Sequence, residues 1–428
     1  MPDNAPPTLP VSELRVGLYI HLDLGWMDHP FPLSSFKITS EQQIATLRGL
    51  GLKTVRYSPE KSDPPPASAP LLSEPSPVAA VPLPDATAPV PDSNGRSDIL
   101  QAQRQAQIQC ERQYLESTRA VKAVFEQLAT APQEAGAACA QLTRDMVGQL
   151  AGHEESALRL LAESHGDRAT LHAMNVTVLS LLLGRVMGLD TPALEALGMA
   201  ALMHDVGKME LPDRVRYRDD AFTAPHFKLY QEHVAHSVNK ARQMGLQPTA
   251  LLTISQHHEM ADGSGFPLGL KAEKILPAAR ILALINRYDG LCNPPNPLKA
   301  LTPHEALSLI FANLKARFES TTLNAFIRMM GVYPPGSVVQ LTDERFALVM
   351  SVNSSRPLKP RVLVHDRLVA SEDAILLDLQ EEPTIGIQRS LRPDQLPYNA
   401  RTYLSPRQRI CYYFERAVTM AESAESVL

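Results

Sequence analysis

A chain of 428 residues with an apolar fraction of 44% is long enough for two or three domains and apolar enough for at least one packed core. Its formal charge of −5, with no block of Lys and Arg, excludes the basic footprint of a duplex nucleic-acid binder, so any nucleotide ligand should be small. Cys110, Cys139, Cys292 and Cys411 stand apart at neither disulfide-like nor metal-like spacing, and the N-terminus shows no basic-then-apolar leader. Packing cysteines and a cytoplasmic location are the expectations.

From Val11 to about Ser62 the chain reads as a small mixed α/β domain (1–61). It has an apolar segment (Leu18, Tyr19, Ile20, Leu22), a core Trp26, a helix near Ser40–Leu50 stopped by Gly51, and a short strand over Leu52–Tyr57. No ligand-binding constellation stands out in it. Residues 62–96 hold ten prolines among Ala, Ser and Asp, the composition of a flexible linker. The helical connector, 97–164, is polar and Ala-rich, and predicts one or two helices that pack on the next domain or pair between protomers as a homodimer.

The segment 165–331 carries long helical apolar periods broken by short turns and reads as an all-helical domain. Its most apolar stretch, Val176–Leu189, is about fourteen residues and contains Arg185, short of the roughly twenty needed to span a bilayer, so a buried core helix and no membrane partner are expected. In the β/α extension, 332–428, Val338–Leu341 and Phe346–Val352 flank a turn at Thr342–Arg345, and Arg361–Val364 adds a third extended run. The chain is therefore mainly α, with a small β appendage on its C-terminal side.

Four histidine clusters fall in the all-helical domain. His204 and Asp205 lie in a helix expected over Leu197–Val206, directly before Gly207 and Lys208, with neighbouring side chains about 100° apart, so both can reach one inward site. His172 shares a stripe with Val176, Leu179 and Leu183, which turns its ring inward. His257, His258 and Glu259 precede Asp262-Gly263-Ser264-Gly265-Phe266-Pro267, a forced loop whose backbone N–H groups could approach a phosphate. His233 adds a fifth imidazole from another helix. Taken singly, each has a plainer reading: a hydrogen-bonded core histidine, a helix-end lysine, an ordinary connection. Together, five histidines and an aspartate exceed the four ligands of a structural zinc site and lack its cysteine pairs, so two metals is the simpler count. Imidazole and carboxylate suit iron, manganese, zinc or nickel. In two-metal sites a bridging hydroxide is the ready nucleophile for in-line attack on phosphorus, which is the chemistry that cleaves phosphodiesters.

These residues resemble the HD-GYP phosphodiesterases, through His172 with Asn175-Val176, the run His204-Asp205-Val206-Gly207-Lys208, His233, and His257 to Pro267, over roughly residues 165–331. The stretch Trp26-Met27-Asp28-His29-Pro30-Phe31-Pro32 is similar to the small domain of unknown function that precedes many members. The resemblance implies an HD-type metallophosphohydrolase fold and two divalent ions. Their ligands would be His172, His204, Asp205, His233, His257, His258 and, at the last position, Asn286, with Asp205 bridging. It implies that Lys208 holds the scissile phosphate beside Asp205, and that Asp262, Gly263, Gly265, Phe266 and Pro267 form the substrate loop. The substrate implied is cyclic di-GMP, opened to linear pGpG or on to GMP, with diguanylate cyclases or other signalling proteins as partners.

The sequence departs from the family pattern at several points. Phe266 stands where the family has Tyr, losing one hydrogen bond of about 0.5–1.5 kcal/mol. Met260 replaces a basic residue, and Arg168 stands where three-metal members carry Glu, hence two ions. Asn286 replaces an Asp ligand, with Asp289 nearby, and the run 293–299 leaves Lys299 as the substitute charge for the usual basic pattern. The competing reading is a catalytically weak receptor that keeps metal and cyclic di-GMP and signals through protein contacts. A third, an HD phosphohydrolase for another phosphoester, is disfavoured by the Asp262–Pro267 loop.

Overall fold

The computed structural model describes residues 7–22, 35–49, 52, 54–63, 93–151, 156–161, 166–218, 221–353 and 358–416. The expectations for Trp26, for the run 26–32, for Gly51 and for most of the proline-rich linker lie outside the described residues. The chain divides into two units, Met1–Val90 and Pro91–Leu428.

In the first unit, β1 (Thr8–Pro10), β2 (Tyr19–His21), β3 (Ser35–Lys37) and β4 (Thr54–Tyr57) form an antiparallel sheet in the order β1-β4-β2-β3, with α1 (Glu41–Gly49) between β3 and β4 in the chain. Ile20, Ile38, Ile44, Leu47 and Val55 close its core. The expected helix and final strand are present. β1 and β3, at three residues each, are too short for alternation to reveal.

The second unit opens with two helices, α2 (Ser93–Gln127) and α3 (Pro132–Ala151), and then a strand, β5 (Ser156–Leu160), in a stretch read from the sequence as helix throughout. The site-bearing helices follow: α4 (Arg168–Val186), α5 (Thr191–Met203), α6 (Asp213–Arg216), α7 (Ala224–Gln243), α8 (Pro248–Gln256), α9 (Pro277–Cys292), α10 (Pro303–Asn313) and α11 (Ser320–Met330). Their starts are written in side chains. Asp167 accepts from the Thr170 amide at 2.9 Å, Asp190 from Ala193 at 2.9 Å, and Thr302 with Glu305 closes a reciprocal capping box on α10. By length and hydropathy α4 would suffice to cross a bilayer, contrary to the sequence estimate, but 78% of its apolar window is buried among neighbouring elements, as in a core helix. All four cysteines are free and buried, and burial pushes Cys139 up to about 12.

The remaining elements are β6 (Val338–Leu341), β7 (Phe346–Asn353), β8 (Arg361–Val364), β9 (Leu377–Asp378), β10 (Ile387–Leu391), α12 (Tyr398–Leu404) and β11 (Tyr412–Arg416). The first three match the extended runs read from the sequence. β5 is drawn into the same sheet, paired antiparallel to β7 on one side and to β11 on the other. The connector helix α2 packs along this seam, where the Ser117 hydroxyl meets the Tyr413 hydroxyl at 3.1 Å. Across β5 and β11, Arg159 forms a buried ion pair with Glu415, with Arg159 only 3% exposed.

Removing one partner of a buried pair leaves the other charge uncompensated. Glu415→Ala should therefore lower unfolding free energy by about 3–5 kcal/mol in denaturant titration. A second expectation concerns α11, where the Glu319 carboxylate caps the Thr321 and Thr322 amides at 2.9 and 2.8 Å. Partial burial alone would raise its pKa, but these backbone N–H groups hold it down at about 2 against the ordinary 4.5. A depressed carboxylate stabilises the fold above its unfolded pKa and loses that contribution as pH falls toward the folded one. Glu319→Gln should cost about 1 kcal/mol at pH 7, a capping-sized effect for an exposed group, and the gap to wild type should close between pH 4.5 and 2 in thermal melts.

Candidate metal centre

The site is built where helices end. α5 stops at Met203, three residues earlier than the sequence suggested: His204 is its C-cap, and Asp205, at φ −104° and ψ 0°, leads into a 3-10 turn over Val206–Glu210. The backbone tightens there because Gly207 lies against α7, where a Cβ would stand 2.2 Å from the His233 carbonyl oxygen and 2.4 Å from the Ser237 nitrogen. His257 likewise caps the end of α8, while His172 and His233 project from within α4 and α7.

Asp205 sits at the centre. Its Oδ2 lies 3.5 Å from His172 Nε2 and 3.4 Å from His204 Nε2, and its Oδ1 lies 3.4 Å from His233 Nε2 and 3.6 Å from His257 Nε2. Two groups of ligand-type side chains result, His172–His204–Asp205 and Asp205–His233–His257–His258, sharing the one carboxylate. Six of the seven residues expected as ligands converge here, and the seventh, Asn286, lines the adjoining cavity.

The tautomers follow from the hydrogen bonds. The Nδ1–H groups of His204, His233 and His257 donate to the carbonyls of Ala201, Tyr230 and Ile254, each three residues back, at 2.8, 2.5 and 2.6 Å. A carbonyl can only accept, so Nδ1 carries the proton and Nε2 presents a lone pair. The Nε2 atoms nevertheless crowd together, with His172 to His204 at 3.3 Å, His233 to His257 at 3.4 Å and His258 to His233 at 3.2 Å. Protonating His204, His233 or His258 does not relieve this, because burial holds His204 down at about 4, His233 at about 3, and His258 well below its ordinary value. Asp205 Oδ1 is buried and accepts no hydrogen bond. Converging lone pairs around an orphaned carboxylate oxygen are a donor set that fits divalent cations.

His172 differs in its support. Burial alone would lower its pKa, but hydrogen bonds to Asp205 and Asp289 raise it to about 9. Its Nδ1 meets Asp289 Oδ2 at 2.6 Å, a carboxylate–histidine pair of the kind that orients metal ligands. Asp289 is 1% exposed, and its Oδ1 takes the side-chain amides of Asn175 and Asn293 at 2.9 and 2.8 Å. Both asparagines also donate to the Ile410 carbonyl, at 2.7 and 3.0 Å, and accept from the backbone of the C-terminal segment through Tyr412 N and Ile410 N. Sequence reasoning missed this clamp, since nothing in the sequence ties Ile410 to Asn175. It had also weighed Asp289 as a stand-in beside Asn286; in the structure Asp289 is committed to His172, and Asn286 lines the adjoining cavity.

Lys208 Nζ lies 2.5 Å from Asp205 Oδ2 and 5.3 Å from the centroid of the Tyr230 ring. Burial alone would lower its pKa, but Asp205 raises it overall, so it stays cationic. The centre opens into a cavity of about 870 Å³, within the range of small-molecule sites. Lys299 lines it, and so do Arg168, Arg216, Arg218, Arg287 and Arg317, cations that the sequence reading did not single out for the site. These arginines are dispersed from position 168 to 317 and form no basic run.

The loop after His258 also departs from expectation. The amides of Gly263, Ser264 and Phe266 are bound to Met260 O, Asp262 Oδ1 and His258 O, and those of Leu268 and Leu270 to the buried Glu259 carboxylate. They are committed within the loop and do not form a phosphate cradle. Gly265 and Phe266 line the cavity, whereas Asp262, Gly263 and Pro267 do not. Gly265 must be glycine, since a Cβ would meet Met260 N at 2.4 Å, and Phe266 stacks on the His258 ring at 4.5 Å.

With this geometry in view, the comparisons are specific. Residues 156–322 match the model of the HD domain, and residues 8–139 match a domain of unknown function, DUF3391. The chain therefore carries an HD domain preceded by a DUF3391 domain. It is 28% identical over 364 residues to a cyclic di-GMP phosphodiesterase of Pseudomonas aeruginosa, covering 83% of this chain and 84% of that one. It is 23% identical over 192 residues to a cyclic di-GMP phosphodiesterase of Borreliella burgdorferi (45% and 51% covered), so the match spans about half of that relative. To a 3'3'-cGAMP-specific phosphodiesterase of Vibrio cholerae it is 23% identical over 174 residues, with 40% of each covered. Among solved structures it is similar to an HDG"Y"P protein from Bdellovibrio bacteriovorus, with a TM-score of 0.42 and 15% identity over 75% of this chain and 97% of that one.

Asp289→Asn should leave the fold cooperative and weaken metal binding by about 10–100-fold in chelator competition, because His172 loses the charged acceptor that orients it.

Proposed function

We propose that this protein is a metal-dependent phosphodiesterase that hydrolyses cyclic di-GMP to linear pGpG, GMP or both, acting in the cytoplasm beside diguanylate cyclases or other signalling proteins. The observation that carries the reading is the single carboxylate, Asp205, shared between two groups of inward Nε2 atoms at the floor of a cation-lined cavity. Two divalent ions fit that donor set, one toward His172 and His204 and one toward His233, His257 and His258. Asn286, which lines the cavity, would supply at most a weaker amide oxygen donor. When bound, such ions polarise a phosphoryl oxygen and acidify a water.

The remaining work falls to the chain. Asp205 and Lys208 are the catalytic pair: the carboxylate holds the ammonium in place and charged, and the ammonium neutralises a phosphoryl oxygen as negative charge builds on it. Phe266, fixed against His258, Phe227 and Tyr230, offers an apolar face to a base. Gly265 lets the loop pass close to the centre. Curated relatives named as cyclic di-GMP phosphodiesterases support the substrate class. Asn286, an amide where a carboxylate would bind metal more tightly, favours a second reading, in which metal and nucleotide are kept for signalling without turnover.

The test is elemental analysis of the purified protein beside hydrolysis of cyclic di-GMP with added manganese or iron, for wild type and for His204→Ala with Asp205→Ala. About two ions per chain and turnover that the double variant abolishes are expected. Metal and nucleotide bound without product would establish the receptor, and Asn286→Asp would then be expected to restore turnover.

A further inference from the structure

The cations of the cavity are not equivalent. Lys208 is paired with Asp205, Arg168 donates to the Asn293 carbonyl at 2.6 Å, and Arg216 donates to the Lys208 and Leu211 carbonyls and pairs with Asp213 at 2.9 Å. Arg287, Arg317 and Arg218 are different. They line the same cavity with exposed side chains, and among the described residues none has a carboxylate within ion-pair distance or a side-chain hydrogen bond. Asp262 feels the charge of Arg317 without pairing with it. Arg287 feels the other two: partial desolvation against the cavity wall, then the charges of Arg317 and Arg218, lower it below the usual arginine value.

Grouped like charges without a counter-charge are unfavourable in the free protein and become favourable when an anion enters. The backbone fixes where that anion would sit. Arg287 is carried on α9 between cavity-lining Asn286 and fully buried Tyr288. Arg317 ends a short 3-10 turn whose carbonyl accepts the Ala261 amide at 2.8 Å, which ties it to the loop beyond His258. Arg218 lies over the Phe227 ring at 5.0 Å, and Phe227 meets Phe266 edge to face at 5.7 Å, so a flat apolar wall adjoins the cationic group.

We propose that Arg287 and Arg317, with Arg218 beside them, form a second anion subsite, which holds the phosphodiester of a cyclic dinucleotide that is not the one at Asp205 and Lys208. The inference rests on the reading of the centre as a phosphodiesterase site and adds a reason for a two-phosphate ligand: one cavity offers two separate anion positions. These residues lie outside the run 293–299, where Lys299 is the lone cation. Because the loop contact of Arg317 is made by its backbone, side-chain substitution leaves that contact in place.

The experiment is calorimetric titration of cyclic di-GMP into the metal-loaded full chain, for wild type, Arg287→Ala with Arg317→Ala, and Arg287→Lys with Arg317→Lys. Hydrolysis of bis(p-nitrophenyl) phosphate, which has one phosphate, is followed in parallel. The alanine pair should weaken cyclic di-GMP binding about tenfold or more, with partial recovery in the lysine pair, and should raise the KM for cyclic di-GMP by about tenfold relative to that for the single-phosphate ester. Binding by the alanine pair within about twofold of wild type would overturn the subsite. Wild type that binds cyclic di-GMP through these arginines but cleaves neither compound would sink the catalytic reading and leave the subsite standing. Wild type that cleaves the simple ester without binding cyclic di-GMP would do the reverse.

Discussion

A buried carboxylate oxygen with no donor, facing imidazole nitrogens that can only accept, is the constraint around which the helical unit is organised. The same local device recurs three times: a histidine near a helix end gives its Nδ1 proton to the carbonyl three residues back and so turns a lone pair to the centre. Protonating His204 or His233 does not satisfy that arrangement, because burial keeps both rings neutral while Asp205 stays ionised. A cation resolves it, so the protein is preorganised for metal at the expense of its own metal-free stability.

The surroundings hold this arrangement in place. The 3-10 turn after Asp205 brings Lys208 back onto the carboxylate and requires glycine at position 207, where the turn touches α7. Glu259, adjacent to His258 in the sequence, looks like a candidate ligand but is spent holding two loop amides, which in turn fixes Phe266 against His258. The loop's amides are used for shape and the cavity's guanidinium groups are left for charge, an exchange of roles relative to a backbone phosphate cradle.

The ligand-type residues of the centre were legible in the sequence because each stands in a short local pattern: an inward stripe for His172, a His-Asp pair before Gly-Lys, two adjacent histidines before a glycine-rich loop. The three strands at 338–364 were legible because alternation and a polar turn mark them. β5 was not, since its five residues follow a polar helical stretch and are held by partners nearly two hundred residues or more away, near 352 and 414. The end of α5 was misjudged because close packing against α7, invisible in the sequence, converts the last turn. The arginines were missed for a similar reason: charge scattered from 168 to 317 becomes a cluster only after folding.

The clamp of Asn175 and Asn293 on Ile410 places part of the site's scaffold 235 residues from the helix it supports. A ribosome finishes α4 and its histidine long before it delivers that backbone, and the matched HD segment, 156–322, does not include it. The support of the centre is therefore non-local, resting on contacts between α4, α9 and the segment that leads into β11. Without that segment, Asn175 and Asn293 lack four backbone hydrogen bonds that steady them against Asp289, the residue that orients His172.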